Sequence, residues 1–174
     1  TANNFTVETP LVVRIGTYSI AALRHDGAKK MTDASLLAEL TSHSATRNPD
    51  AIALSYGKQS MCYGELQQSI EGLVSGLVGL GLQRGERIAI YLEKRFETVV
   101  ASFAAAAAGC VFVPLNPLLK ADQVAYIMRD CNVRALLTSS ERLPLLAPVL
   151  SACHDLRHVL LTGNEALPAA DGPL

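Results

Sequence analysis

Residues 87–117 read RIAIYLEKRFETVVASFAAAAAGCVFVPLNP, and their pattern indicates the fold class. Arg87 to Leu92 is almost continuously apolar, which is typical of a strand that is covered on both faces. A helix is predicted from about Arg95 to Ala108, and a second buried strand from Val111 to Pro114. A strand, a helix and a strand joined by short connections form the repeating unit of a parallel sheet.

The same alternation extends along the chain in both directions. Further helices are predicted after a cap at Asp33 or Ser35, at about Tyr63 to Leu80, at Ala121 to Cys131 and near Leu143 to Ala152. Further strands are predicted at Ala51 to Tyr56, at Val133 to Thr138 and near His158 to Leu161. We therefore predict an α/β fold, with a mostly parallel sheet and helices on both of its faces.

The helix predicted at residues 63–80 has the clearest apolar stripe. Its members recur with a period of 3.6 residues and are Leu66, Ile70, Leu73, Val74, Leu77 and Leu80. Gly81 follows directly and can end the helix in a left-handed cap. The helix predicted before it carries Leu36, Leu37 and Leu40.

The chain divides into three segments by composition. Residues 1–31 form an atypical N-terminal extension, residues 32–162 the α/β subdomain, and residues 163–174 a Gly-, Pro- and Ala-rich loop or linker at a point of truncation. The apolar residues between Phe5 and Ile15 suggest extended structure around Pro10. Met31 is one candidate for the natural start, with upstream sequence before it, and a genuine additional pair of strands is the alternative.

Composition argues against several classes of function. The net charge of −1 provides no basic face for nucleic acid or an anionic membrane, and 49% hydrophobic residues suffice for a sizeable core. Thr98 to Leu115 just reaches the length of a membrane span, but its change of period predicts a helix followed by a strand. The start of the chain has no basic-then-apolar signal peptide, so we expect a cytoplasmic protein without a membrane span.

The four cysteines are predicted to be buried, reduced thiols. They are Cys62, Cys110, Cys131 and Cys153. None of them forms a C-x-x-C pair or has the spacing of zinc ligands, and each lies in or beside an apolar run.

A first motif opens the helix at residues 63–80. It consists of Met61, Cys62, Tyr63, Gly64, Glu65 and Leu66. Cys62 occupies the cap position and Glu65 follows three residues later, as in a capping box, although a thiol is a weak acceptor.

A second motif covers Gly109 to Pro117, GCVFVPLNP, where the predicted strand ends at Pro114. Because Pro117 follows so soon, the chain must leave the strand in an extended conformation. The carboxyl ends of parallel strands are the places where ligands gather in such sheets.

The two motifs together resemble the first two core motifs of adenylate-forming enzymes, which include acyl-CoA synthetases, luciferases and the adenylation domains of peptide synthetases. Residues 81–90, 126–131 and 136–138 fit the same family pattern, and the resemblance covers about Leu36 to Leu161. It implies that the fold is the first part of the large N-terminal domain of an acyl-CoA synthetase-like enzyme.

The resemblance also implies an activity for the complete protein, an ATP-dependent, AMP-forming acid–thiol ligase. In such an enzyme a carboxylate attacks the α-phosphorus of ATP, pyrophosphate leaves, and a thiol such as coenzyme A then takes the acyl group. ATP, Mg²⁺ and coenzyme A are implied for the complete protein, with a carboxylic acid as substrate. We expect none of these cofactors to be bound to this chain alone.

The departures from the family pattern carry further information. Cys62 replaces the usual Thr, which affects only the start of the helix. Asn116 stands where peptide-synthetase domains usually have Asp, and residues 118–120, Leu-Leu-Lys, lack their Tyr-Pro step. These two differences favour an acyl-CoA ligase over an adenylation domain of a peptide synthetase.

The family's Ser/Thr/Gly-rich phosphate loop, which ends in Lys, has no counterpart here. Ser139-Ser140 and Thr162-Gly163-Asn164 are too short and lack the glycines and the Lys. We therefore assign no catalytic, cofactor-binding or metal-binding residue, and expect the isolated chain neither to bind ATP tightly nor to turn over.

Other candidate sites are weaker. Gly79-Leu80-Gly81 precedes a strand, whereas a dinucleotide fingerprint follows one. His154 and His158 favour a surface pair over a metal site, because His158 is expected to begin a strand. The run at residues 93–95, Glu-Lys-Arg, follows a strand and suits either a ligand contact or a solvated helix start.

Two other classes of function remain open. A non-catalytic module would pair with another subunit, with a second copy or with a missing C-terminal portion, and would leave a sheet edge or an apolar face open. A small nucleotide binder of flavodoxin-like shape would need a phosphate loop, which this sequence does not offer.

Overall fold

A computed structural model describes residues 11–14, 34 and 36–163. Within these residues the strands are β1 (Leu11–Arg14), β2 (Ile52–Tyr56), β3 (Gln59–Cys62), β4 (Arg87–Tyr91), β5 (Val111–Pro114), β6 (Val133–Ser139) and β7 (His158–Thr162). The helices are α1 (Leu37–Arg47), α2 (Tyr63–Gly79), α3 (Phe96–Ala107), α4 (Ala121–Asp130) and α5 (Leu143–Leu150). The predicted alternation of strands and helices from residue 63 onward is confirmed.

The chain divides into two compact units. Among the described residues, the sheet unit contains residues 11–14, 86–93 and 113–163, and the helical unit contains residues 34, 36–85 and 94–112.

The sheet has five strands in the order β1-β7-β6-β4-β5. β1 pairs with β7, β7 with β6, and β6 with β4, each in parallel. The register places Ala89 of β4 beside Leu136 of β6, and Leu136 beside Val159 of β7. The prediction of an α/β fold with a parallel sheet is confirmed.

Both faces of the central strands are buried. On one face, Ala89, Leu136 and Val159 pack with Met128 of α4 and Leu146 of α5 in the core of the sheet unit. Side chains alternate between the two faces of a strand, so the neighbours of these residues point the other way. Those neighbours, Ile88, Ile90, Ala135, Leu137 and Leu160, are at most 2% exposed. The near-continuous apolar runs of β4 and β6 follow from burial on both faces.

The helical unit contains a small hairpin that the sequence pattern did not reveal. β2 and β3 pair antiparallel as a separate two-stranded sheet, with Tyr56 opposite Gln59. The turn between the two strands contains Gly57, with φ 62°. β3 was missed because its short sequence, QSMC, is polar at one end and was taken as the approach to α2.

Two details differ from the sequence-based predictions. Leu36 caps α1 instead of lying within it, and the leucines of this segment are exposed, with Leu36 at 64%, Leu37 at 42% and Leu40 at 51%. Asp33 and Ser35, the predicted caps, lie outside the described residues. β5 was predicted to be buried, but Val111 is 50% exposed because β5 is the last strand of the sheet.

Two glycines end helices as expected. After α2, Gly81 has φ 77°, and after α3, Gly109 has φ 76°. Both angles lie in the left-handed region that glycine adopts without steric cost, which confirms the cap predicted at Gly81. Gly109, the first residue of the second motif, therefore serves to end a helix.

The stretch from Thr98 to Leu115 is a helix followed by a strand, as predicted, because it contains most of α3 and all of β5. No helix within the described residues is long and apolar enough to cross a membrane. Of the predicted extended structure between Phe5 and Ile15, only β1 lies among the described residues, and it is a strand.

Candidate functional site

The order of strands marks one end of the sheet as a place for a ligand. The connection after β4 leads outward to β5, whereas the connection after β6 leads to β7 in the opposite direction. In open α/β sheets, ligands bind at the carboxyl ends of strands where the connections diverge in this way. The residues that follow β4 and β6 are therefore the first candidates for a site.

After β5, the chain continues into a loop of residues 115–120, which we call the exit loop. Its first three residues belong to the second motif. The Leu115 N–H donates to the carbonyl of Ile90 in β4 at 2.9 Å. Asn116 then accepts the Leu118 N–H on its side-chain oxygen at 3.0 Å, which forms a local turn. Leu118 itself is 87% exposed. Asn116 thus shapes the loop, a role that its position before Pro117 did not reveal.

Two side chains from outside both motifs hold the exit loop. The Tyr91 hydroxyl donates to the Leu119 carbonyl at 2.8 Å. Arg142 donates from Nη1 to the Pro117 carbonyl at 3.0 Å and from Nη2 to Glu93 Oε1 at 2.7 Å. Neither residue was predicted from the sequence. A Tyr at the end of an aliphatic strand could have indicated a hydrogen bond to a neighbouring segment, because a buried hydroxyl needs a partner.

Hydroxyl side chains are buried at the same end of the sheet. Thr138 donates to the Tyr91 carbonyl at 3.0 Å, and Ser139 donates to Glu141 at 2.9 Å. Thr162, which lies beside Ser139 in the register, is 9% exposed and its hydroxyl has no hydrogen-bond partner. An unpaired buried hydroxyl is uncommon, so the described residues do not satisfy all the buried hydrogen-bonding groups at this end of the sheet.

The amino end of the sheet carries a network of charges instead. Arg134 pairs with Asp155 and, at 3.4 Å, with Glu86, while the exposed Arg157 reaches Glu86 at 3.5 Å. The Asn132 amide donates to Asp155 at 2.8 Å. This hydrogen bond, followed by the charge of Arg134, lowers the pKa of Asp155.

The first motif performs a structural task. The backbone N–H of Cys62, the N-cap of α2, donates to Glu65 Oε2 at 2.9 Å. This hydrogen bond lowers the pKa of the Glu65 carboxyl. The predicted capping arrangement is confirmed on the Glu65 side.

The other candidate residues are dispersed. Of the Glu-Lys-Arg run, Glu93 joins the exit-loop cluster, whereas Arg95 pairs with Glu97 at 3.5 Å at the start of α3. His158 begins β7, as predicted. All four cysteines are free, and Cys110 and Cys153 are buried as predicted, whereas the prediction of burial was wrong for Cys62 and Cys131, which are partly exposed. Burial raises the pKa of the Cys153 thiol, which disfavours the reactive thiolate.

A groove of about 350 Å³ lies between α1 and α2 in the helical unit, with apolar residues that include Ile70 and Val74. Its two carboxylates are engaged locally. Glu39 accepts the Leu36 N–H at 3.1 Å, and Glu71 accepts from the Gln67 amide at 2.9 Å. The groove is therefore described as an open space between two helices, and no ligand is assigned to it.

The described residues do not fit a nucleotide phosphate with its magnesium ion. A phosphate cradle needs converging backbone N–H groups and a cation. The Ser139 hydroxyl is engaged with Glu141, and the Arg142 guanidinium with a carbonyl and a carboxylate. Between residues 36 and 163, no three His, Cys, Asp or Glu side chains converge as metal ligands. No reaction step is assigned to these side chains.

Comparison with known proteins gives the family. The model of the AMP-binding enzyme family matches residues 41–172, which include both motifs, the exit loop and the strands around it. The chain belongs to the AMP-binding enzyme family.

Relatives within the AMP-binding family include enzymes of two kinds. The chain is 37% identical over 107 residues to the phosphinothricin tripeptide synthetase PhsB of Streptomyces viridochromogenes, covering 61% of this chain and 9% of that protein. It is 32% identical over 111 residues to the 4-hydroxybenzoate–CoA/benzoate–CoA ligase of Rhodopseudomonas palustris, covering 64% of this chain and 21% of that protein. The chain thus spans a small part of the curated relatives it matches.

The fold agrees with a solved structure of this kind. An anthranilate CoA ligase in complex with anthranoyl-AMP matches with a TM-score of 0.70 and 25% identity, over 74% of this chain and 25% of that chain. The acyl-CoA synthetase-like fold expected from the two motifs is therefore confirmed.

Proposed function

We propose that this chain is the opening part of an ATP-dependent, AMP-forming ligase that converts a carboxylic acid into an acyl adenylate and then into a thioester with coenzyme A. The observation that carries the proposal is the family match across both motifs and the exit loop. Residues 32–162 act as an α/β subdomain of the large N-terminal domain, and residues 163–174 as a linker to the segments that handle ATP and Mg²⁺.

The chain's own contribution is positional. β4, β5 and β6 present their carboxyl ends at the diverging connections, and the exit loop borders that edge. A ligase must hold a carboxylate and a phosphate together despite their mutual repulsion, and fixed loops reduce the entropic part of this barrier. Asn116 supports the choice of coenzyme A as thiol, since it departs from the Asp that the sequence analysis associated with peptide synthetases.

A second candidate follows from the sequence relatives. Identity to the tripeptide synthetase PhsB is at least as high as identity to the benzoate–CoA ligase. In this alternative the acid is an amino acid and the thiol belongs to a carrier protein.

Exchange of labelled pyrophosphate into ATP by the complete polypeptide tests both candidates. A panel of aliphatic acids, aromatic acids and amino acids is supplied, followed by coenzyme A or a pantetheinylated carrier protein. We expect exchange with an acid that lacks an α-amino group, and transfer to coenzyme A. Exchange with amino acids alone, and transfer to the carrier, would establish the second candidate instead.

The isolated 174-residue chain serves as the matched control. We expect it to show no acid-dependent exchange, because the described residues supply no phosphate cradle. Exchange by the chain alone would place the catalytic groups within it and would overturn the division of labour proposed here. Light scattering of the same sample tests the alternative of a non-catalytic interaction module. In that case we expect the chain to form a complex of defined mass, and we expect the longer polypeptide to show no exchange activity.

A further inference from the structure

The exit loop is held at its backbone carbonyls by side chains that belong to neither motif. Pro117 lacks an N–H, and its carbonyl accepts from Arg142 Nη1 at 3.0 Å, with the Tyr91 hydroxyl at 3.4 Å as a longer contact. The Leu119 carbonyl accepts the Tyr91 hydroxyl at 2.8 Å. Two carbonyls of the loop, on either side of Leu118, are thus tied to β4 and to the start of α5.

Arg142 is itself held from two sides. Its guanidinium carbon lies 4.9 Å from the centre of the Tyr91 ring, within the range of a cation–π contact. On the solvent side Nη2 meets Glu93, whose side chain is 73% exposed, whereas that of Arg142 is only 15% exposed. A planar guanidinium in this setting has its donors fixed in direction, which a flexible ammonium does not offer.

The place of this cluster in the topology gives it a functional meaning. Tyr91 ends β4, Glu93 lies just beyond β4, and Arg142 lies just beyond β6, so the three residues are near the point where the connections of the sheet diverge. The hydrogen bonds of Tyr91 and Arg142 end on the exit loop, which follows β5. One side chain at the end of β4 and one side chain after β6 therefore hold the same loop.

We propose that Tyr91 and Arg142 are positioning residues, which hold the exit loop at the ligand edge so that their loss slows adenylate formation. The inference rests on the proposed function for its kinetic part only. A misplacement of about 1 Å in a positioning element can lower turnover by roughly a hundredfold. Simple loss of packing would lower stability and leave turnover at saturating substrate unchanged.

Three variants separate the parts of the arrangement. Tyr91→Phe removes only the hydroxyl and keeps the ring under the guanidinium. Arg142→Lys keeps the positive charge but loses the planar guanidinium with its two directed donors, and Arg142→Gln loses both the charge and the guanidinium. Arg134→Lys is the matched control, since it changes a partly buried Arg that pairs with two carboxylates at the opposite end of the same sheet.

The first test follows the loop itself in the 174-residue chain, by limited trypsin digestion and mass spectrometry. Lys120 ends the exit loop and is the residue before α4, so cleavage after Lys120 reports local opening of the loop. We expect cleavage there to rise about tenfold in Tyr91→Phe and Arg142→Gln, and less than about twofold in Arg134→Lys. Equal cleavage rates after Lys120 in all variants would overturn the proposal.

The second test measures acid-dependent pyrophosphate exchange in the complete polypeptide. We expect kcat to fall at least about tenfold in Tyr91→Phe and Arg142→Gln, with Arg142→Lys intermediate and Arg134→Lys within about twofold of the parent. Unchanged kcat in the Tyr91 and Arg142 variants would refute positioning. If the unmodified polypeptide shows no exchange with any acid, the proposed function fails, and the trypsin result still decides whether these residues hold the loop.

Discussion

The two ends of the parallel sheet both carry an arginine with carboxylates, but the two arginines have different partners. At the amino end, Arg134 pairs with the carboxylates of Glu86 and Asp155, so charged side chains satisfy one another. At the carboxyl end, Arg142 gives one of its donors to the backbone of the exit loop, and only one carboxylate, Glu93, faces it. The first arrangement joins strands, and the second places a loop.

Hydroxyl groups sharpen the difference. Thr138 and Thr162 both lie at the carboxyl end, yet only Thr138 has a partner. An end that is organised purely for stability would leave neither unpaired. At the amino end, the side chains can be explained by their contribution to stability. At the carboxyl end, the unpaired Thr162 hydroxyl requires a further explanation, which is a group that binds or packs there.

Arg134→Ala is expected to have the largest effect on stability at the amino end. It removes one ion-pair partner of Glu86, whose side chain is 15% exposed, while the pair with the exposed Arg157 remains. Because this carboxylate is largely removed from water, we expect a loss of about 2 kcal/mol in the free energy of unfolding, measured in urea. Arg157→Ala is the control, and its expected loss is below about 0.5 kcal/mol. Equal losses in the two variants would show that burial of the network does not matter.

Thr138→Val tests the paired hydroxyl at the carboxyl end. It keeps the shape of the side chain and leaves the buried Tyr91 carbonyl without this donor. We expect a loss of about 1.5 kcal/mol in the free energy of unfolding, because an abandoned buried acceptor costs more than an average hydrogen bond contributes. A change below a few tenths of a kcal/mol would mean that the carbonyl finds another donor.

Thr162→Val is the same chemical change at the unpaired hydroxyl, and its expected sign is opposite. Removing a buried group that has no partner should leave stability unchanged or raise it by up to about 1 kcal/mol in the 174-residue chain. The measurement is again the urea midpoint. A loss similar to that of Thr138→Val would reveal a hydrogen-bond partner and would remove the contrast between the two residues.

Asp155 at the amino end should contribute to the pH dependence of stability, and this is the smallest expected effect. The pKa of Asp155 is lowered in the folded chain, so its stabilising contribution is present above the pKa of the unfolded chain and is lost as the pH falls through the lowered folded value. Unfolding curves below about pH 4 should therefore differ less between pH values in Asp155→Asn than in the parent chain. An identical acid-side slope in both would assign the dependence to other carboxyls.

Much of the fold follows from the sequence because apolar periodicity reports burial directly. The β4–α3–β5 stretch was predicted to within about two residues, since Arg87 to Leu92 had to be covered on both faces. The order of the strands could not be predicted, because periodicity does not state which strands become neighbours. Hence the exposure of Val111, on the last strand, was missed.

The candidate site was predictable only in its location. The ligand end of the sheet and the exit through Pro117 followed from the second motif. Tyr91 and Arg142 did not, because they lie 51 residues apart in the chain and meet only once β4 and β6 are neighbours. The exposure of Leu37 and Leu40 had no local signal either, since apolar residues in a helix do not by themselves show which neighbours will pack against them.

The way the chain divides between the two units has a consequence for the timing of folding. Between α2 and α4 the chain passes from one unit to the other after residues 85, 93 and 112. β7 lies between β1 and β6 in the sheet, although it comes last among the described strands in sequence. During synthesis the five-stranded sheet therefore cannot close until residues 158–162 have left the ribosome, and such long-range pairing is slow. Until then β6 lacks one of its two neighbouring strands, which leaves a strand edge open to wrong pairing.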